Sequence, residues 1–133
     1  MYGMRGAAAY GRVNVESEIL SASPHRLIAL LFEHALRAIR TAEVHMNNGD
    51  IKGKAEAITK ALDIVSQGLL AAVDREQGQA IAERLAELYE YVCEQLLEAN
   101  LRNDTVHLQN AEKVLEALSE GWHGIAGQAN GAG

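Results

Sequence analysis

From Ser23 to Trp122 apolar side chains return every three or four residues, in blocks separated by short polar breaks. That period predicts α-helices with one buried face. Ser23-Pro24 opens the first block, with a hydroxyl to cap a free N–H and a proline that costs nothing at the first helical position. Leu27, Leu31, Ala35, Ala38 and Ala42 then form one line, with Ile28, Phe32, Ile39 and Met46 beside it. The stripe is wide enough for a bundle helix running from Pro24 to about Asn48. Gly49 suits a left-handed stop and Asp50 a second cap.

A second helix is predicted over about 51–74. Its seam is Ile58, Leu62, Val65, Leu69 and Ala72, and a further line of mostly small residues holds Ala57, Ala61, Ile64, Gly68 and Ala71. Glycine inside a helix costs about 1 kcal/mol relative to alanine, so Gly68 points to close packing. Glu76-Gln77-Gly78-Gln79 reads as a turn. The third helix, about 79–101, carries Ile81, Leu85, Leu88, Val92 and Leu96 on one stripe and Ala82, Ala86, Tyr89, Cys93 and Leu97 on another. Asn103 or Asp104 caps the fourth helix, about 105–120, whose seam is Leu108, Ala111, Leu115, Leu118 and Trp122. Four helices with short connections predict an all-α, antiparallel up-down four-helix bundle over 23–122. Glycines at 3, 6 and 11 make residues 1–22 a flexible arm or a short N-terminal helix, with Tyr10 as its large apolar anchor. The Gly/Ala-rich residues 123–133 are expected to be disordered.

The charge balance is 12 Lys+Arg against 18 Asp+Glu, net -6 in 133 residues. It argues against a nucleic-acid binder, which needs a basic patch for phosphates. The longest apolar run, Leu27 to Phe32, cannot span a membrane, and no signal-peptide pattern opens the chain. The single Cys93 excludes an internal disulfide and fits a reducing compartment.

Candidate chemistry is sparse. A bundle di-metal site needs inward carboxylates and paired Glu-x-x-His motifs. Here Glu120-x-x-His123 stands alone near a helix end and the inward stripes hold no carboxylate, so no metal or cofactor is expected. His34 with Arg37 three residues on resembles the accepting site of a histidine-phosphotransfer bundle, although that site usually has lysine and then glycine. The plainer reading is a surface histidine paired with nearby carboxylates such as Glu33. Cys93 has no basic neighbour to activate it. The double stripes on the second and third helices exceed what one core requires. They fit either a homodimer interface, making the chain a dimeric helical module, or a groove for a partner helix, with small residues letting its backbone approach.

Tyr10, Ser23-Pro24-x-x-Leu27-Ile28-x-x-Leu31-Phe32-Glu33, Ala42-Glu43, Asn48-Gly49-Asp50-Ile51, Lys60-Ala61, Leu88-Tyr89-Glu90-Tyr91, Leu97-x-Ala99-Asn100 and Trp122 resemble, in order and spacing, the flagellin-specific export chaperones of the FliS family. Phe32-Glu33-His34 departs from that family's usual Tyr-Asp-Gly but keeps the aromatic and the acid. The resemblance implies a non-enzymatic protein of the bacterial cytosol. It would bind the C-terminal segment of flagellin, block premature polymerisation, and present the subunit to the flagellar type III export gate. It also implicates Tyr10 in flagellin binding. Together with the surplus stripes, this nominates Tyr10, Ala61, Ile64, Gly68, Ala71, Tyr89, Cys93 and Leu97 as the flagellin-binding residues.

Overall fold

The computed structural model describes residues 23–132, with side chains as far as Ile125. Tyr10 and the rest of the predicted arm lie outside these residues. Helix α1 spans Pro24–Asn47 and α2 spans Ile51–Asp63, continuing into a π-helix at Ile64–Leu70. Helix α3 spans Arg75–Arg102 and α4 spans Thr105–Ala132. No strand occurs among the described residues. Helix α1 packs on α2 and α4, and α3 packs on α4 and on the α2/π-helix arm. Each helix thus touches the ones before and after it, and the fourth closes back on the first. This is the up-down bundle that the four apolar blocks predict.

The caps follow the sequence. Ser23 Oγ accepts from Arg26 N at 3.1 Å, with Pro24 in the first turn. Gly49 takes φ +73°, and Asp50 Oδ1 accepts from Gly53 N at 2.9 Å. Asn103 ends α3 in the left-handed region at φ 53°, and Asp104 Oδ1 accepts from Val106 N. The core is the expected seam: Phe32, Ala35, Ile39, Ile58, Val65, Leu69, Val92, Leu96, Leu108, Ala111 and Leu115 are all buried. Burying a large apolar side chain of this kind stabilises by about 1.5–3 kcal/mol. Lys54 is also buried, at 4 % exposed, with its ammonium on the Asn100 carbonyl at 3.1 Å. A cation there suits the unpaired carbonyls and the negative dipole end of α3.

Four expectations are corrected. The second helix is not α-helical to 74. It widens to π geometry at Ile64–Leu70 and ends there, with Ser66 Oγ donating to the Leu62 carbonyl at 2.8 Å. The connection that follows lies at 71–74, not at Glu76–Gln79. Asp74 caps α3 through Glu76 N and Gln77 N, and the expected break survives as a kink at Gln79, φ 51° and ψ -128°. The predicted inward stripe of α3 is out of phase at its start, because Ala82 is buried while Ile81 stands 81 % exposed. Finally, α4 does not stop at 120. Its backbone stays helical through Ala132.

The physical reason for the longer α4 is an anchor near its expected end. Trp122 stacks on His25, ring centroids 4.4 Å apart and planes 12° from parallel. Trp122 Nε1 donates to the His25 carbonyl at 2.9 Å, and His25 Nε2 lies 3.0 Å from the Trp122 carbonyl. This clasp holds the last core turn of α4 against the first turn of α1.

Candidate functional site

An apolar concavity lies at the end of the bundle where α1 begins, the π-helix stops, α3 begins and α4 passes. It measures about 710 Å³. Ile28 and Phe32 come from α1, Leu69 from the π-helix, Ile81, Leu85 and Tyr89 from α3, and Leu118, Trp122 and Ile125 from α4. Phe32, Leu69 and Tyr89 are almost wholly buried and form its floor, whereas Ile81 and Ile125 stand out at its rim, 81 % and 54 % exposed. The Phe32 and Tyr89 rings meet at 43° with centroids 6.4 Å apart. Burial pushes the Tyr89 phenol up to about 12, so the floor is neutral at physiological pH. The Trp122 wall is fixed by its clasp with His25. An apolar cleft with exposed aliphatic rims and a rigid aromatic wall is built to take an apolar helix face.

The nominated residues do not form one groove. Tyr89 is in the cleft floor. Ala61 is fully buried, at 0 % exposed. Gly68 packs against α1: a Cβ there would sit 3.2 Å from both Leu31 methyl carbons. Ile64 lines a separate groove between α1 and α2, beside Leu31, Ala38 and Ala57. Gly68 therefore receives α1 itself and Ala61 is consumed inside the bundle, while Ala57 and Ile64 border the groove. Ala71 is exposed in the connection after the π-helix. Cys93 is half-buried, and burial, followed by Glu90 and Glu94, raises its thiol above the ordinary value. It is held as the protonated, unreactive thiol. Leu97 is 57 % exposed and lies eight residues from Tyr89, about 12 Å along the axis.

Sequence reasoning placed Ile81, Leu85 and Trp122 in stripes of the core and did not bring them together. The signal for Ile81 was the break at Glu76-Gln77-Gly78-Gln79, which the structure keeps as a kink at Gln79: a break in helical phase frees the next apolar side chain from the seam. His34 is half-buried, and its Nε2 is covered by protein with no hydrogen-bond partner among the described residues. A covered acceptor nitrogen is poorly placed for phosphotransfer. Among the described residues no three His, Cys, Asp or Glu side chains gather as metal ligands, and no helix is long and apolar enough to cross a membrane.

Residues 6–129 match the family model described as flagellar protein FliS. The chain is 43 % identical over 130 residues to the flagellar secretion chaperone FliS of Salmonella typhimurium, covering 98 % of this chain and 96 % of the relative. It is 38 % identical over 126 residues to flagellar secretion chaperone FliSB of Pseudomonas aeruginosa, at 95 % and 99 % coverage. To FliS of Escherichia coli it is 34 % identical over 122 residues, at 92 % and 90 % coverage. The family match and these end-to-end identities agree with the four-helix architecture and with the spaced motifs from Ser23-Pro24 to Trp122, and the chain belongs to the FliS family.

Proposed function

We propose that the protein is a flagellar secretion chaperone whose client is flagellin. It acts in the bacterial cytosol, binds the C-terminal segment of the unpolymerised subunit, prevents premature assembly, and delivers the subunit to the type III export gate. It is a binding protein, not an enzyme. The apolar cleft at the bundle end carries this reading. A disordered amphipathic segment pays its ordering cost when it binds, and a preformed apolar surface offsets that cost. Ile81 and Ile125 at the rim and Trp122 in the wall supply spaced contacts for one face of a helix.

The test is titration of flagellin monomer with this protein, followed by light scattering and by calorimetry. A 1:1 complex that stops filament growth is expected, and removal of about 40 residues from the flagellin C-terminus, a helix of about 60 Å at 1.5 Å per residue, should abolish it. Ile81→Asp should weaken the complex by at least 30-fold, about 2 kcal/mol, with unchanged helical content because Ile81 is exposed. Equal binding of truncated and full-length flagellin would overturn the C-terminal reading, and an unaltered affinity in Ile81→Asp would remove the cleft from it.

A further inference from the structure

The groove between α1 and α2 differs in chemistry from the cleft and shares no lining residue with it. It measures about 810 Å³ and has an apolar floor of Leu31, Ala38, Ala57 and Ile64. Its rims carry Arg37 on α1 and Lys52 and Lys60 on α2. Of the other described cations, Arg26, Arg40, Arg75 and Arg102 are in ion pairs and Lys54 is on a carbonyl, while Arg84 on α3 and Lys113 on α4 stand apart from one another without an ion pair among the described residues. Arg37, Lys52 and Lys60 make no ion pair and no side-chain hydrogen bond among the described residues, yet they converge on one concavity of a chain with net charge -6. Of the acids there, Asp50 caps α2 and lies 3.0 Å from His45 Nδ1, which leaves Glu56 as the uncommitted one.

The register of the two helices fixes how the cations are spaced. Gly53 lies against the His45 ring and Gly68 against Leu31. The antiparallel pairing that joins those two points sets Arg37 opposite Lys60. Lys52 lies eight residues further along α2, about 12 Å away. A ligand lying along the groove would therefore meet a pair of cations near the middle and a third about two helical turns on, with Glu56 between them.

From this spacing we infer that the α1/α2 groove docks an acidic amphipathic helix of a second partner protein. One carboxylate of that helix meets Arg37 and Lys60, a second about two turns away meets Lys52, and an apolar strip lies on Leu31, Ala38, Ala57 and Ile64. The residue facing Glu56 is neutral or basic. Charge complementarity decides the partner class. Two acids lie within the groove, and a regular row of phosphates could not avoid them. An anionic bilayer is flat and could not reach the recessed apolar floor. The inference stands independently of what occupies the end cleft.

The experiment uses a fluorescent helical peptide of about 18 residues, a helix on the order of 27 Å at 1.5 Å per residue. It carries an alanine/leucine face and two glutamates eight positions apart. Controls carry glutamine or lysine at those two positions. Binding is followed by anisotropy, and the site by amide chemical shifts in the full chain. The glutamate peptide should bind, should lose at least tenfold in affinity towards about 0.5 M salt, and should shift amides around Arg37, Ala57 and Lys60. The double variant Arg37→Glu/Lys60→Glu should lose at least tenfold for the glutamate peptide and gain binding of the lysine peptide, with an unchanged melting temperature because both side chains are exposed. That exchange of preference is a readout that a merely structural role would not produce. Equal binding of the glutamine peptide would overturn the inference. So would shifts confined to Ile81 and Trp122, or displacement of the glutamate peptide by a single-stranded oligonucleotide or by anionic vesicles.

Discussion

The end cleft and the α1/α2 groove are similar in size and opposite in construction. The cleft is assembled where α1 and α3 begin and the π-helix stops against the passing α4, is almost free of charge, and owes its shape to large side chains: Phe32, Leu69, Tyr89 and Trp122. The groove runs along α1 and α2 as far as the turn that joins them, has small residues in its floor, and carries its charge on the rims. Large residues at helix ends leave a hollow that an apolar face fills. Small residues at mid-helix let two helices approach, and long cations then stand on either side of the seam. One bundle thus offers two surfaces that a single ligand chemistry would not satisfy.

Trp122→Ala should produce the largest effect on this contrast. It removes a cleft wall, a ring stack and a hydrogen bond in one step, and should destabilise the fold by about 3 kcal/mol. Flagellin affinity should fall with it, while the acidic peptide keeps its affinity for the groove at a temperature where the variant is folded. His25→Ala should cost less. Combined with Trp122→Ala in a thermal-denaturation cycle it should show coupling on the order of 1 kcal/mol. Additive losses would mean that the clasp is incidental.

Gly68→Leu sharpens the contrast from the other side. The space beside Gly68 is already taken by Leu31, so the substitution should overpack the α1/π-helix contact and cost about 1–3 kcal/mol. Leu31 lines the groove and not the cleft. The melting temperature and the acidic-peptide affinity should therefore both drop while flagellin affinity holds. Lost flagellin binding with a normal melting curve would restore Gly68 to the flagellin surface.

The smallest effect lies on the other flank of α1, where Arg40 bridges Glu112 at 2.8 Å and Glu116 at 2.9 Å. Glu43 lies beside them with one carboxyl oxygen covered and unpaired. Burial first, and the adjacent Glu112 carboxylate next, raise its pKa to about 7, against the opposing effect of Arg40. A carboxyl whose folded pKa lies above its ordinary value holds its proton more tightly in the folded state. Its contribution to stability is complete below about 4.5 and is lost as pH rises through about 7. The melting temperature of the wild type should therefore fall relative to Glu43→Gln between pH 5.5 and pH 8, a window spanning that folded value. Parallel curves for the two proteins would show that Glu43 is ionised throughout. Neither concavity contains Glu43, so its titration should leave flagellin binding unchanged.

The parts of the fold legible in the sequence are those governed by local chemistry. Ser23, Gly49 and Asp50 act within one turn of themselves, and the seam from Leu108 to Leu115 obeys a single period. The π-helix was not legible, because a window that assumes 3.6 residues per turn reads Ile64 to Leu70 as ordinary helix. That assumption makes the line from Ala57 to Gly68 look like one spare surface, when Gly68 packs on Leu31 of α1, Ala61 is buried, and Ala57 and Ile64 border the groove. The cleft was legible only in pieces. Tyr89 was nominated, but Ile28, Ile81, Trp122 and Ile125 meet only once the bundle brings α1, α3 and α4 together. Arg37, Lys52 and Lys60 are likewise scattered in sequence and come together only through the antiparallel register of α1 and α2.

The clasp between His25 and Trp122 joins residues 97 positions apart, and so closes nearly the whole bundle into a ring without a covalent bond. A terminal turn ordinarily frays by itself, at the cost of a few exposed backbone bonds. Here the first turn of α1 cannot unwind without releasing the indole from α4, and α4 cannot lift without stripping the carbonyl and the ring from α1. The two turns share one opening equilibrium, and the most distant parts of the bundle's chain become a single cooperative unit.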